Sequence, residues 1–425
     1  MQNNIPQTKS GIFTKAWHIL LAVGPGIFAV GYTIGTGSVT SMAKAGADYG
    51  MKLLWVLTLS VIFSWLLMEA YGRYAVITGE SSIYAIRNRL KYGKVWAILI
   101  IVGVVAAQWS SLIGIMGLSS KMIYEVIRIF IPGLNESDYW MVLVIAIVLI
   151  AILYALLLVG EYSFFEKVLI VLVVIMGISF IISMFIVLPP PGEIVEGFIP
   201  VIPEGGTMLV AAFVGTTMAS PTFVVRPLIV KEKGWGPGNT REQSRDAITS
   251  ALLMFIISGS IMVAACGAMF HEGKTVTKVL DMAYSLEPFA GKFAVAIFIF
   301  GALSAGISSI FPILMVAPLL IGDYRSGKMD IKSGMFRGLT AFACIVGLAV
   351  PVLDTNPILA QIATQIAGVF VLPLVILGIL FLINRKELMG DHKPGIVFNI
   401  GLVAALVFAL IISYNGALAL KDYLF

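Results

Sequence analysis

The sequence predicts an all-α integral membrane protein of eleven transmembrane helices, built as two inverted five-helix repeats plus one extra helix. Three observations predict it. The chain is 59% hydrophobic and 12% charged, with a mean hydropathy of +0.99, whereas a soluble domain carries about 25% charged residues. Apolar stretches long enough to cross a bilayer recur along the whole 425-residue chain. The first and sixth of them are interrupted, at matching places in the two halves, by small and hydroxyl residues. Unwound backbone inside lipid is tolerated only where it is buried in protein or lines a cavity. Paired interruptions of this kind point to the substrate site of a secondary transporter.

A helix crossing the hydrocarbon core needs roughly 17–25 residues. Spans are predicted at 16–44, 53–76, 95–121, 139–160, 165–188, 207–231, 246–270, 292–321, 335–353, 356–383 and 394–420. Residues 1–15 form a cytoplasmic N-terminus. Helices one to five (16–188) make the first repeat and helices six to ten (207–383) the second. The extracellular connection 189–206 joins them, and 394–425 holds helix eleven and an extracellular C-terminus. Five spans per repeat force the second copy to be inverted relative to the first. With the N-terminus inside, 20 of the 28 Lys and Arg residues lie in or beside inner segments. Positive charge marks the cytoplasmic side of an inner or plasma membrane. The basic pI of about 9.0 then reflects loops near anionic lipid rather than a nucleic-acid partner.

No cleavable signal peptide is expected, because the first apolar segment is too long and no small-residue cleavage site follows it. No nucleotide-binding motif occurs, so a primary pump would need another subunit. No nucleophile–base pair or metal constellation lies in the breaks, which argues against an enzyme, and nothing implies a cofactor. The partners expected are a small-molecule or ion substrate and the lipid bilayer; the oligomeric state is not legible. Cys266 and Cys344 fall inside spans and read as packing residues. His18, His271 and His392 sit at span ends or in loops without a ligand-spaced partner.

The first break contains Gly35-Thr36-Gly37-Ser38 and the second Thr216-Thr217-Met218-Ala219-Ser220-Pro221-Thr222. A broken helix presents free N–H groups at the start of its second half and free carbonyls at the end of its first. Gly35 and Gly37 let the backbone approach a ligand. Thr36, Ser38, Thr216, Thr217, Ser220 and Thr222 add neutral hydroxyls, or else simply allow close helix packing. In span ten, Gln361 and Gln365 are spaced i,i+4 on one face. They and Gln108 of span three either hold helices together or line the path. Glu69 and Arg73, also i,i+4, form an ion pair near the cytoplasmic end, structural or gating.

Several short motifs, in order, resemble one family. They are Gly24-Pro25 with Gly31-Tyr32, Ala45-Gly46, Tyr49-Gly50, Leu53-Leu54-Trp55, Thr78-Gly79-Glu80, Gly306-Ile307-Ser308-Ser309, Asn356-Pro357, Gln365, Leu372-Pro373 and Leu388-Met389-Gly390. Together they make the chain resemble the natural resistance-associated macrophage protein (Nramp) family of metal transporters. The resemblance implies a leucine-transporter-like fold with alternating access. It also exposes departures. The family's first break carries a metal-binding Asp and Asn, at positions that fall here on Gly35 and Ser38. Its second-break Met falls on Ala219, followed by Ser220 and Pro221. Its span-three Asp and Glu, tied to proton movement, fall on Gln108 and Ser111.

Without thioether and carboxylate the site does not suit a soft transition metal. The leading expectation is therefore a small cation, divalent and partly hydrated, Mg-like. The alternative is a small organic solute such as an amino acid or carboxylate, which a Gly-rich helix N-terminus suits. Ser308 and Ser309 mark a candidate sodium site for coupling, because the resemblance sets a span-eight hydroxyl pair against the carbonyls of the first broken helix.

Overall fold

The computed structural model describes residues 24–131, 133–135, 138–159, 162–277, 280–353 and 357–424. The expected N-terminus, the start of span one, His18 and Asn356 lie outside them. The first span is two helices, α1 (Pro25–Thr33) and α2 (Thr36–Tyr49). Between them only Ile34 and Gly35 leave the helical path, so Thr36, Gly37 and Ser38 form the first turn of α2 rather than the break itself. Helix α3 (Leu54–Thr78) ends on Gly79 at φ 67°, the left-handed cap that glycine adopts without strain. A short α4 (Ser82–Arg89) leads into the 38-residue α5 (Gly93–Phe130), which outruns its apolar part because Lys121, Glu125 and Arg128 continue its pattern past the lipid.

Helices α6 (Tyr139–Leu158) and α7 (Tyr162–Ile186) complete the first five spans. Asp138 caps α6 by accepting from the Met141 N–H at 3.1 Å. The connection beyond α7 contains a small helix, α8 (Pro191–Glu196). The sixth span is broken like the first, into α9 (Thr207–Thr217) and α10 (Ser220–Glu232). Next come α11 (Thr240–Met269), the short α12 (Asp281–Ser285) and α13 (Glu287–Ser326). Helix α13 is kinked at Ala290 and Gly291, so its straight part begins where the sequence places span eight. Helices α14 (Gly334–Gly347) and α15 (Ala349–Leu353) make span nine. Span ten is interrupted at Phe370-Val371, giving α16 (Pro357–Val369) and α17 (Leu372–Ile383), an interruption the sequence reading did not mark. A four-residue α18 (Lys386–Met389) precedes α19 (Ile396–Leu424).

Ten stretches among the described residues are apolar and long enough to cross a membrane, with α9 and α10 counted together. The broken pair α1 and α2 makes the eleventh crossing. Burial sorts them. The apolar window of Thr207–Glu232 is 83% buried, against 28% for Tyr139–Leu158 and 22% for Ile396–Lys421. The broken helices therefore sit at the centre of the bundle, and α6 and α19 face lipid.

Lipid removes the hydrophobic drive for helix association, so close packing of small residues and polar contacts must hold the bundle. A Cβ on Gly46 of α2 would lie 2.3 Å from the Met262 carbonyl oxygen of α11, and one on Gly267 would lie 1.6 Å from that of Val187. Those helices touch backbone to backbone.

Candidate functional site

The two breaks meet in one cavity of about 30 Å3, room for about two water molecules. From the first break it is lined by Tyr32, Gly35 and Gly37, and from the second by Gly215, Thr216 and Ala219. Gln108 and Ser111 of α5 and Gln361, Thr364 and Gln365 of α16 supply its polar wall. Ser309 and Ile313 of α13 close another side.

The carbonyls at the end of α1 are met by hydroxyls. Ser309 Oγ donates to Gly31 O at 2.8 Å and to Tyr32 O at 3.1 Å. Ser308 Oγ reaches Gly31 O at 3.2 Å and its own helix at Ala305 O at 3.0 Å. Thr216 Oγ1 donates to Thr33 O at 2.9 Å, tying the two breaks together. The Gly31 carbonyl accepts from both serines, while the Tyr32 and Thr33 carbonyls each receive one of these hydroxyls and keep a second lone pair. At the opposite pole, α2 starts on Gly35 with no side-chain cap, which leaves its first amides and their partial positive charge beside the cavity.

The glutamines lie against that pole. A Cβ on Gly37 would stand 1.8 Å from Gln365 Nε2 and 2.5 Å from Gln361 Nε2. Ser41 donates to Gln365 Oε1 at 2.9 Å, and Gln361 Nε2 donates to Ser111 Oγ at 3.3 Å. That leaves Gln365 Nε2, Gln361 Oε1 and the Tyr32 hydroxyl buried with no partner. Buried polar atoms are normally satisfied, so these three are the free handles for an occupant. Among the described residues the lining holds no carboxylate, imidazole or thioether.

Of the residues singled out from the sequence, the cavity gathers Gly35, Gly37, Gln108, Thr216, Ala219, Gln361, Gln365 and Ser309. It does not gather Ser308, which bonds to the Gly31 carbonyl of α1, nor five of the hydroxyl residues of the breaks. Ser38 turns to Ser258 at 3.4 Å, on α11. Thr217 is buried, and its carbonyl accepts from Ser64 at 2.9 Å. Thr222 Oγ1, in the first turn of α10, donates to the Ala219 carbonyl at 2.7 Å. Thr36 and Ser220 are buried with unpartnered hydroxyls outside the lining. Tyr32, Gly215 and Thr364 join the lining without having been singled out as site residues. Thr364 had a signal, the helical spacing it shares with Gln361.

Glu69 and Arg73 do pair, at 2.6 Å, but as one end of a longer chain. Gln243 Nε2 donates to Glu69 Oε2 at 2.8 Å and Ser244 to Glu69 Oε1 at 2.9 Å. Arg226 donates to Gln243 Oε1 at 2.6 Å and to Asp246 Oδ2 at 2.6 Å. Asp246 Oδ1 accepts from the Gly26 N–H, at the start of α1, at 3.1 Å. From the sequence, Arg226 falls within predicted span six as a charge with no evident partner. It is 1% exposed inside α10, which Asp246 and Gln243 make tolerable.

A profile described as natural resistance-associated macrophage protein-like matches residues 26–420. The chain belongs to this family. Among relatives of the Nramp chain is the divalent metal cation transporter MntH of Brucella suis biovar 1, 27% identical over 414 residues, covering 91% of this chain and 86% of that protein. Among solved structures, the Eremococcus coleocola manganese transporter superposes with a TM-score of 0.73 at 14% identity, over 99% of this chain and 89% of that one. MhsT in complex with L-phenylalanine superposes with a TM-score of 0.67 at 12% identity, over 94% of this chain and 98% of that one. These likenesses bear out the leucine-transporter-like, all-helical fold and a membrane transport protein rather than an enzyme. Of the five positions that the resemblance sets against Nramp ligand or proton-relay residues, Gly35, Ala219, Gln108 and Ser111 line the cavity and Ser38 does not.

Proposed function

We propose that this Nramp-family chain is a secondary transporter that carries a small, hard divalent cation, Mg2+-like and partly hydrated, by alternating access. The observation that carries the reading is the chemistry of the cavity wall, which is amide, hydroxyl and carbonyl oxygen with no charged or sulfur ligand among the described residues. Hard oxygen ligands suit Mg2+, Ca2+ or Mn2+ alike, and with no carboxylate or thioether the wall offers nothing that raises Mn2+ affinity above that for Mg2+. Mg2+ gives up water reluctantly. An ion that keeps a water or two and takes its remaining oxygens from the wall fits about 30 Å3; a full hydration shell does not. The relatives named as divalent metal cation transporters support a divalent cargo and weigh against the organic-solute alternative.

In this reading the chain from Glu69 through Gln243, Arg226 and Asp246 to Gly26 gates the inner side, with the N-terminus cytoplasmic as the Lys and Arg distribution favours. It pins the start of α1 to α10 and α11, and opening inward must break it. Transport is not proton-coupled through α5, because Gln108 and Ser111 do not titrate.

Calorimetry on the purified protein tests the cargo. Mn2+ should bind no tighter than the millimolar range, roughly −4 kcal/mol. Micromolar Mn2+ binding that disappears in Gln365→Ala contradicts the reading.

A further inference from the structure

Away from the cavity, at the opposite end of the bundle from the basic loops, the fold brings together three groups that the sequence keeps far apart. Glu193 sits on α8, in the connection between the two halves. Cys266 is near the end of α11, and His271 follows in the 3-10 turn Phe270–Glu272. One ligand atom from each lies within 4.8 Å of the other two. Cys266 Sγ is 3.6 Å from Glu193 Oε2, and His271 Nε2 is 3.3 Å from Glu193 Oε1.

We propose that Glu193, Cys266 and His271 form a binding site for a borderline transition-metal ion of the Zn2+ or Co2+ type. The spacing is the first argument. Zn2+ takes sulfur at about 2.3 Å and nitrogen or oxygen at about 2.0–2.2 Å in tetrahedral geometry, which sets neighbouring ligand atoms about 3.4–3.6 Å apart. The Cys266 Sγ–Glu193 Oε2 and His271 Nε2–Glu193 Oε1 separations lie close to that range through the two different carboxylate oxygens, so a metal is held by both oxygens of Glu193 or after the carboxylate turns one oxygen toward both partners. The ligand set is the second argument. Thiolate, imidazole and carboxylate together suit Zn2+ and Co2+ far better than Mg2+, so the site selects against the cargo assigned to the cavity. Its accessibility is the third. The thiol is buried, while the imidazole and carboxylate are 48% and 30% exposed, so an ion can enter from water and meet the sulfur last.

Binding is a balanced exchange. The Cys266 thiol loses its proton to solvent, the thiolate takes the metal, and the carboxylate and neutral imidazole complete three ligands. A water fills the fourth position. Because Glu193 is on α8 and the other two close α11, the bound ion fastens the connection between the halves to the end of α11. The backbone there is already set: the Gly197 carbonyl just after α8 accepts from the Trp55 N–H at 2.8 Å, and Gly267 packs against the Val187 carbonyl. No residue of this cluster lines the cavity, so the inference is independent of the cargo proposed above.

The chain has two cysteines, which makes Co2+ a selective probe. Titrating Co2+ into the purified full-length protein should produce a near-ultraviolet thiolate-to-cobalt charge-transfer band that Zn2+ abolishes. The band should be lost in Cys266→Ser and kept in Cys344→Ser. His271→Ala alters a half-exposed side chain and should weaken Co2+ binding with no change in the thermal midpoint. Absence of the band in the unsubstituted protein, its persistence in Cys266→Ser, or unchanged Co2+ affinity in a folded His271→Ala protein overturns the proposal.

Discussion

Gly37→Ala separates the cavity's role in transport from its role in stability. The new Cβ would lie 1.8 Å from Gln365 Nε2, 2.9 Å from Gln365 Cδ and 2.5 Å from Gln361 Nε2. All three atoms are at the far ends of flexible side chains, so the amides swing aside and the backbone stays. Moving them forfeits the bonds to Ser41 and Ser111, each worth about 1 kcal/mol net. Replacing a helical glycine by alanine returns about 1 kcal/mol. The net loss of stability is therefore only about 1 kcal/mol. The consequence for the cavity is larger, because a methyl group and two displaced amides occupy a space that holds about two waters. Substrate uptake into reconstituted vesicles should fall by about tenfold or more, equivalent to about 1.4 kcal/mol of lost transition-state stabilisation. The thermal midpoint in detergent should move by only a few degrees. Uptake at the unsubstituted rate would refute the placement of the site, and collapse of the fold would refute the claim that the glutamine ends yield.

Three further outcomes follow from the geometry. Gly215→Ala sets a Cβ 2.2 Å from the Gln365 backbone oxygen, which cannot rotate away, so it should lower the thermal midpoint through overpacking of about 1–3 kcal/mol; an unchanged midpoint contradicts this. Arg226→Met leaves Asp246 buried without its cation and should destabilise the protein by roughly 3–5 kcal/mol, with part of the loss recovered in the double variant Arg226→Met with Asp246→Leu; equal melting of the single variant and the parent protein removes the ion pair from the stability account. Ser308 and Ser309 face the α1 carbonyls, so if they hold Na+ then uptake rises with external Na+ and the two Ser→Ala changes together abolish the rise; equal uptake in sodium and choline buffers dismisses the sodium site.

Much of this was legible from residue types alone. The breaks were visible because Gly, Thr and Ser interrupt apolar runs, and the i,i+4 spacing correctly put Gln361 and Gln365 on one face. The direction of each hydroxyl was not legible. Ser38 lies one residue after Gly37, which rotates it about 100° around the helix and turns it from the cavity to Ser258. Thr222 was read among the substrate-site hydroxyls, and its hydroxyl instead bonds back to the Ala219 carbonyl three residues earlier, a local bond that competes with any outward role. The burial of Arg226 was not legible because its partners are 17 and 20 residues away. Glu193 and Cys266 are 73 residues apart, and nothing local signals that they meet. The interruption at Phe370-Val371 falls inside apolar sequence, where composition does not distinguish a straight helix from a bent one.

The central claim is that a neutral, oxygen-lined cavity at the paired breaks carries a Mg2+-like divalent cation and, lacking carboxylate and thioether ligands, does not bind Mn2+ tightly. Ion flux into proteoliposomes tests it most directly, with a Mg2+-sensitive dye and a pH dye sealed in the lumen. The account predicts saturable Mg2+ entry, slowed by about tenfold or more in Gln361→Ala with Gln365→Ala, with no change in lumen pH and no inhibition by micromolar Mn2+. Mn2+ entry at micromolar concentration, with Mg2+ left outside, would contradict it.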